Sequence, residues 1–553
     1  MLRWLNALNQ QFPLRYLAWL CCGFGLAFTA LTWRYSEQGS WLVLTFGVLV
    51  LVGLRDVLQS KRAVLRNYPV IGHLRFFLEF IRPEIRQYFL ESDNEAAPFS
   101  RQQRSLVYQR AKGDPDKRPF GTQLDVGAAG FEWINHSLAP SHVASADFRI
   151  TIGEERAQPY SASVFNISAM SFGALSANAI KALNQGAKKG GFAHDTGEGS
   201  ISAHHREHGG DLIWEIGSGY FGCRNVDGSF SAERFQENAR DPQVKLIEIK
   251  LSQGAKPGHG GVLPGAKVTP EIAAARGVQV GEDCVSPAAH SAFSTPLELM
   301  HFIQKLRDLS GDKPVGFKLC IGHPWEWFAL CKAMVQTGIV PDFIVVDGAE
   351  GGTGAAPLEF TNHVGTPLQE GLLLVHNTLM GLNLRDRVAI GCAGKVTSAF
   401  DIARLLALGA DWCNAARGFM FALGCIQAQA CHTGHCPTGV TTQDPLRQRA
   451  LVVGDKAERV YRFHHNTLEA LKELVQAAGL QHPSDITAAH IVRRVSPQEV
   501  RLLANLLPFL APGCLLHGEL PHAVYQAYWH LASAESFAPQ GPLPALLHGR
   551  AHA

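Results

Sequence analysis

Short β-rich runs alternate with helix-like segments through the middle of the chain, and this alternation leaves few folds open. The runs are residues 164–168, 192–195, 246–251, 315–320, 343–347, 388–391 and 412–416. Helical periodicity falls between them, at 297–309, 325–337, 371–384 and 398–408, where Phe400, Ile402, Ala403, Leu405, Leu406 and Leu408 form a broad apolar face. Such alternation builds a parallel sheet covered by helices. Glycines and polar residues follow several of the runs, as in Gly348-Ala349-Glu350-Gly351-Gly352-Thr353-Gly354 and Gly391-Cys392-Ala393-Gly394-Lys395. Barrel enzymes carry their chemistry in loops of this kind, so an α/β fold of the (β/α)8 type is expected. An open doubly wound sheet has the same alternation and stays open on periodicity alone.

The flanks differ from this body. Tyr16–Thr32 and Trp41–Leu54 are two apolar runs near the lower limit for a spanning helix; the expected helices are about 16–33 and 41–57, joined by the short polar linker 34–40. Arg3 and Arg15 precede the first run; Arg55, Lys61, Arg62 and Arg66 follow the second. Both ends therefore face the cytoplasm by the positive-inside tendency, and Trp4, Tyr16, Trp19, Trp33, Tyr35 and Trp41 suit an interfacial belt. A signal peptide or a buried core hairpin would also be apolar, but a second run so close to the first argues against cleavage. The expected organisation is a membrane anchor over 1–60 and a lead-in over 61–150. A catalytic body over 151–480 follows, then short amphipathic helices and a loose tail over 481–553. The expected location is the inner (cytoplasmic) membrane, with the catalytic body in the cytoplasm.

A formal net charge of +2 on 553 residues gives no reason to expect nucleic acid as a partner. Twelve cysteines, mostly single within apolar runs, do not form a secreted disulfide framework and fit a reducing compartment. Three of them stand apart: Cys425, Cys431 and Cys436 lie within twelve residues, beside Gly424 and Gly434, and Pro437 follows. Three thiolates match a 3Fe-4S cluster; zinc, with His432 or His435 added, and unrelated cysteines are the alternatives. The turns 391–395 and 414–418 sit after the last two strands, where barrel enzymes commonly hold a phosphate. Lys318 ends an apolar strand, where a cation can stabilise a reduced flavin or simply leave the core.

Longer motifs point to a family. Met170-Ser171-Phe172-Gly173-Ala174-Leu175-Ser176, Thr196-Gly197-Glu198-Gly199 and Lys250-Leu251-Ser252-Gln253-Gly254-Ala255-Lys256-Pro257-Gly258 follow one another in order. Then come Leu263-Pro264-Gly265, Lys267-Val268-Thr269-Pro270-Glu271-Ile272, Gly351-Gly352-Thr353-Gly354-Ala355, the three cysteines, and Thr442-Gln443-Asp444-Pro445. In order and spacing this resembles the synthase domain of glutamate synthase over about residues 160–480, most closely the membrane-associated FMN-binding glutamate synthase family proteins.

The resemblance implies a (β/α)8 TIM barrel with FMN at the C-terminal ends of its strands and a 3Fe-4S cluster beside it. It places Ala169, Met170 and Ser171 along the flavin, Gln253 nearby, and Lys318 at the N1–O2 edge. Gly351, Gly352 and Thr353 also belong to the cofactor site, while Gly394, Ala416, Arg417 and Gly418 hold the phosphate. Cys425, Cys431 and Cys436 become cluster ligands. Glu198, Lys256 and Arg276 fall in the 2-oxoglutarate pocket or its approach. The implied reaction is reduction of an imine or oxo-acid adduct to an amino acid, with a 2-oxo acid or amino acid as substrate and an unidentified electron donor or acceptor. The alternatives are an amine or amino-acid dehydrogenase passing electrons toward the membrane, a non-catalytic membrane electron-transfer module, and an FMN barrel enzyme for an unrelated anion. Two departures bear on the substrate: His259 and Val262 stand where the synthases usually carry Glu and Gln. The chain begins Met-Leu-Arg, so a glutaminase domain with an N-terminal cysteine nucleophile is not expected.

Overall fold

The computed structural model describes residues 14–59, 62–92, 97–263 and 265–543. Arg3, Trp4, Lys61 and Pro264 lie outside them, as does the side chain of Val262. The chain forms two compact units, Met1–Ala96 and Ala97–Ala553.

In the first unit the helices Leu17–Ser36 and Ser40–Leu58 pack as a hairpin, and both are long and apolar enough to cross a membrane. Glycines let the pair close up. A Cβ on Gly53 would meet the Trp19 ring at 2.1 Å and one on Gly25 the Phe46 ring at 2.6 Å. Small residues at a helix contact serve this purpose in lipid, where apolar burial supplies no drive. The Trp19 indole donates to the Val50 carbonyl oxygen at 3.0 Å.

The second unit is built on a closed barrel of eight strands. In chain order they are β1 (Phe165–Ile167), β2 (His194–Asp195), β3 (Leu212–Ile216), β4 (Val244–Lys250), β5 (Val315–Leu319), β6 (Phe343–Asp347), β7 (Ala389–Ala393) and β8 (Trp412–Ala415). Each pairs in parallel with the next, and β8 closes on β1. The open sheet is thereby excluded. Seven of the strands coincide with the β-rich runs. The exception is β3, Leu-Ile-Trp-Glu-Ile, which hides in sequence behind Gly209-Gly210-Asp211 and carries an inward glutamate.

Local chemistry sets the helices. Pro296–Ser310 starts from a Thr295/Glu298 capping box and ends at Gly311 in a left-handed turn, while Ser398 and Asp401 cap Ala399–Ala407 in the same way. The floor of the barrel is apolar: Ile213, Leu246, Phe343, Val345 and Trp412 pack with Ile152, Tyr160 and Ala162 of the antiparallel hairpin Arg149–Ile152/Tyr160–Ser163. Gly316 and Gly391 make room for the large rings, since a Cβ there would lie 2.2 Å from the Phe343 carbonyl oxygen and 2.3 Å from the Trp412 ring.

The region after residue 481 departs from the expected helices. The β-branched run Ile491–Ser496 turns through Pro497 into Glu499–Leu502 and pairs with Glu132–Ile134 in a three-stranded sheet. Glu132 bonds Arg404 and Arg493, tying that sheet to the barrel's outer helices. Short helices such as Ala523–Tyr528 follow.

Candidate active site

Above the apolar floor the barrel interior turns polar. Glu215 of β3, Glu248 of β4, Lys318 of β5, Asp195 of β2 and Asp347 of β6 all point inward, and none of the first four is more than 4% exposed. The Lys318 ammonium pairs with Glu215 and lies 3.2 Å from Glu248. Carboxylate oxygens of Asp195, Glu215 and Glu248 all lie within 4.8 Å of one another. Four carboxyls around one ammonium cannot all ionise in a buried site. Burial, opposed by Lys318 and reinforced by Glu215, pushes Asp195 up to about 7. Burial likewise raises Glu248 well above the carboxylate range and raises Asp347. Burial alone would lower Lys318, but the surrounding acids outweigh it and hold the ammonium well above its ordinary value.

Lys318 also lines a cavity of about 1050 Å3 at the C-terminal end of the strands. Its wall includes Ala169, Gln253, Gly351, Gly352, Thr353, Gly394, Ala416, Arg417 and Gly418, so most of the residues expected around a cofactor meet in one place. Met170 and Ser171 are not on that wall; Met170 is buried and both pack against Gly197. Backbone clearance is tight. A Cβ on Gly254 would sit 1.9 Å from the Gly348 carbonyl oxygen, and Gly254 donates its N–H to Asp347 at 2.8 Å. One end of the cavity is cationic. Arg417, at the start of helix Arg417–Leu423, reaches the sulfurs of Met420 at 3.3 Å and Cys431 at 3.9 Å. Lys395, in a left-handed backbone conformation, lies over the Phe99 ring. Among the described residues neither has a carboxylate partner.

The three cysteines converge. Cys425, Cys431 and Cys436 line one small cavity, and the first two also reach the wall of the large one. The loop between them is held from outside: Tyr108 donates to the Cys425 carbonyl oxygen at 2.6 Å and Lys267 to that of His432 at 2.9 Å. Burial raises the Cys436 thiol, but hydrogen bonds from Thr438 and Thr441 outweigh it and bring it down to about 7, while burial pushes Cys425 up to about 11. The donor set suits a thiolate-bound metal group.

Glu198, Lys256 and Arg276 form a separate charged group together with Lys250. Lys250 and Glu198 pair at 2.9 Å, and Lys256 donates to the Gly260 carbonyl oxygen at 3.3 Å. Arg276 donates to the Phe172 carbonyl oxygen at 3.1 Å and stacks over the Phe221 ring. Burial pushes Glu198 up, but Lys250, Lys256 and Arg276 together hold it below the usual carboxylate range. Burial lowers Lys256. None of the three predicted residues lines the large cavity. His259 packs edge-on against Phe360.

The conserved region in glutamate synthase matches residues 136–481. The glutamate synthase large subunit-like protein YerD of Bacillus subtilis (strain 168) is 38% identical over 82% of this chain and 94% of its own length. The chain belongs to the glutamate synthase family. As a member of that FMN-binding family it is an oxidoreductase. An archaeal-type glutamate synthase [NADPH] of Thermotoga neapolitana is 34% identical, and the shared part is 57% of this chain and 59% of the relative. Among solved structures, a mutant flavocytochrome b2 with benzoylformate aligns with 81% of the chain and 92% of its own at 12% identity and a TM-score of 0.42.

Sequence reasoning missed Glu215 and Phe99, and gave Lys250 and Lys395 no role of their own although both stand in the motifs quoted above. Glu215 was lost with β3. Lys395 had a signal, a lysine closing a Gly-rich turn, but only the fold aims it into the cavity.

Proposed function

We propose that this member of the glutamate synthase family holds FMN in the 1050 Å3 cavity, uses Cys425, Cys431 and Cys436 to bind a 3Fe-4S cluster, and reduces an imine or oxo-acid adduct to an amino acid. The observation that carries the reading is the cavity's charge pattern: among the described residues Arg417 and Lys395 at one end have no carboxylate partner, the buried Lys318 also reaches the wall, and two of the three cysteines share it. An anionic phosphate satisfies the first pair, which a helix N-terminus also favours. Bound FMN would supply two-electron chemistry, and the cluster would pass electrons singly.

The chain's own residues do the rest. Glycines 351, 352 and 394 let backbone approach the cofactor closely. Lys318 would supply positive charge toward it from the cavity wall, and the carboxyls around that ammonium can carry a proton near neutral pH. Lys250, Lys256 and Arg276 present positive charge to a carboxylate substrate, and Arg can bind it bidentately. The two apolar helices support a membrane anchor with the catalytic unit in the cytoplasm. They also favour a second reading, in which an amine or amino acid is oxidised and electrons pass toward the membrane.

The test is glutamate formation by anaerobically reduced protein given 2-oxoglutarate and ammonia. Turnover supports the reductive reading. Flavin reduction by an amino acid, with no turnover in the forward direction, supports the second.

A further inference from the structure

The first unit continues past its apolar hairpin into helix Gly72–Ile85 and the wider turn Arg86–Leu90. Leu74, Phe77, Leu78, Ile81, Tyr88 and Phe89 recur at helical spacing and fall on one stripe. That stripe is uncovered within its unit: Leu74 is 55% exposed, Phe77 56%, Tyr88 57% and Phe89 82%. Arg75, Arg82 and Arg86, at i, i+7 and i+11, follow one another along one flank, where Arg75 also pairs with Glu79 at 3.0 Å. A contiguous apolar stripe of this size marks an interaction surface.

The start of this helix is fixed relative to the hairpin. Asp56, two residues before the end of Ser40–Leu58 and 2% exposed, accepts from the Val70 N–H at 3.0 Å and pairs with His73 Nε2 at 2.9 Å. The amphipathic helix therefore begins level with the end of the second apolar helix, where a span would meet water. Arg62 stacks on Phe76 at 4.8 Å, adding a cation at the same level.

We infer that residues 72–90 lie in the interface of the same bilayer, the apolar stripe sunk among the acyl chains and the arginine flank against lipid phosphates. An amphipathic helix of this composition buries its apolar face about 5–10 Å into the headgroup boundary. This rests on the hairpin spanning the bilayer. A helix pinned by Asp56 at the boundary then meets lipid without further search. The segment 72–90 then runs along the membrane surface instead of leaving it directly.

The test uses the full chain in phospholipid vesicles, with an environment-sensitive fluorophore introduced through an encoded reactive amino acid at position 78, 79 or 48 in turn. Position 78 should be quenched more by a shallow nitroxide lipid than by a deep one and be shielded from aqueous iodide. Position 79, on the polar side, should be open to iodide. Position 48, in the hairpin, should respond more to the deep nitroxide. Leu74→Ser with Phe77→Ser should open position 78 to iodide and leave position 48 unchanged. Iodide access at 78 with deep quenching at 48 would overturn the inference while sparing the hairpin. Iodide access at 48 would remove the hairpin and the inference together. Shielding of 78 from both iodide and lipid nitroxides would mean that protein covers the stripe, and would also overturn it.

Discussion

Replacing Lys318 by Met removes the ammonium from a ring of four buried carboxyls. At 3.2 Å from Glu248, the pair is worth about 5 kcal/mol gross at an effective dielectric constant near 20. Breaking a buried pair by removing one partner costs about 3–5 kcal/mol net, because an uncompensated charge stays inside. The cost depends on pH, and the sign follows from Asp195. Its folded value, about 7, lies above the ordinary 3.8, so the folded protein keeps a proton that the unfolded chain releases between those values. Stability from that group is full below about pH 4 and is lost as pH rises through about 7. Without Lys318 the carboxyls shift further upward, and the loss extends to higher pH. Lys318→Met should therefore lower the thermal midpoint by several degrees at pH 8 and by much less at pH 5. Adding Glu215→Gln should recover part of the pH 8 loss by removing the charge left unpaired. Thermal unfolding in detergent at the two pH values, at one scan rate, reads both effects. Equal losses at pH 5 and pH 8, or no recovery in the double variant, would refute the reasoning.

The same variant should make bound flavin harder to reduce, with each 1.4 kcal/mol of lost stabilisation lowering a two-electron midpoint by about 30 mV; an unchanged potential would take Lys318 away from the cofactor. Gly254→Ala drives a Cβ onto the Gly348 carbonyl oxygen, so purified variant should carry far less FMN than the parent, measured by flavin absorbance per chain. Cys431→Ser should lose iron and acid-labile sulfide while circular dichroism of the barrel persists. Arg276→Ala should abolish the spectral response of the flavin to whichever acid is native, with Arg276→Lys retaining part of it; an unaltered titration would remove Arg276 from the site.

Much of the barrel was legible because seven of its strands fall on β-rich runs, several of them followed by glycines and polar residues. The missing strand shows the limit. In β3 the inward position is Glu215, which reads as a break in an apolar pattern until Lys318 is seen opposite it. A long-range ion pair leaves no local signature. The cysteine trio was legible from spacing, and its convergence on one cavity follows that reading. Lys318 was legible as a strand-end lysine, but the acids that set its charge come from four other strands. Short amphipathic helices were expected where the hairpin Ile491–Ser496/Glu499–Leu502 forms; its outer pairing, with Glu132–Ile134 about 360 residues earlier, is a contact that sequence periodicity cannot see. Val262, read as limiting 2-oxoglutarate binding, has its side chain outside the described residues.

Cofactor content of the full chain, purified without oxygen, bears most directly on the proposed chemistry. One FMN per chain, with about three irons and matching acid-labile sulfide held by the three cysteines, is the expected result. Zinc in place of iron would contradict the cluster, and protein that takes up no flavin after incubation with FMN would contradict the site.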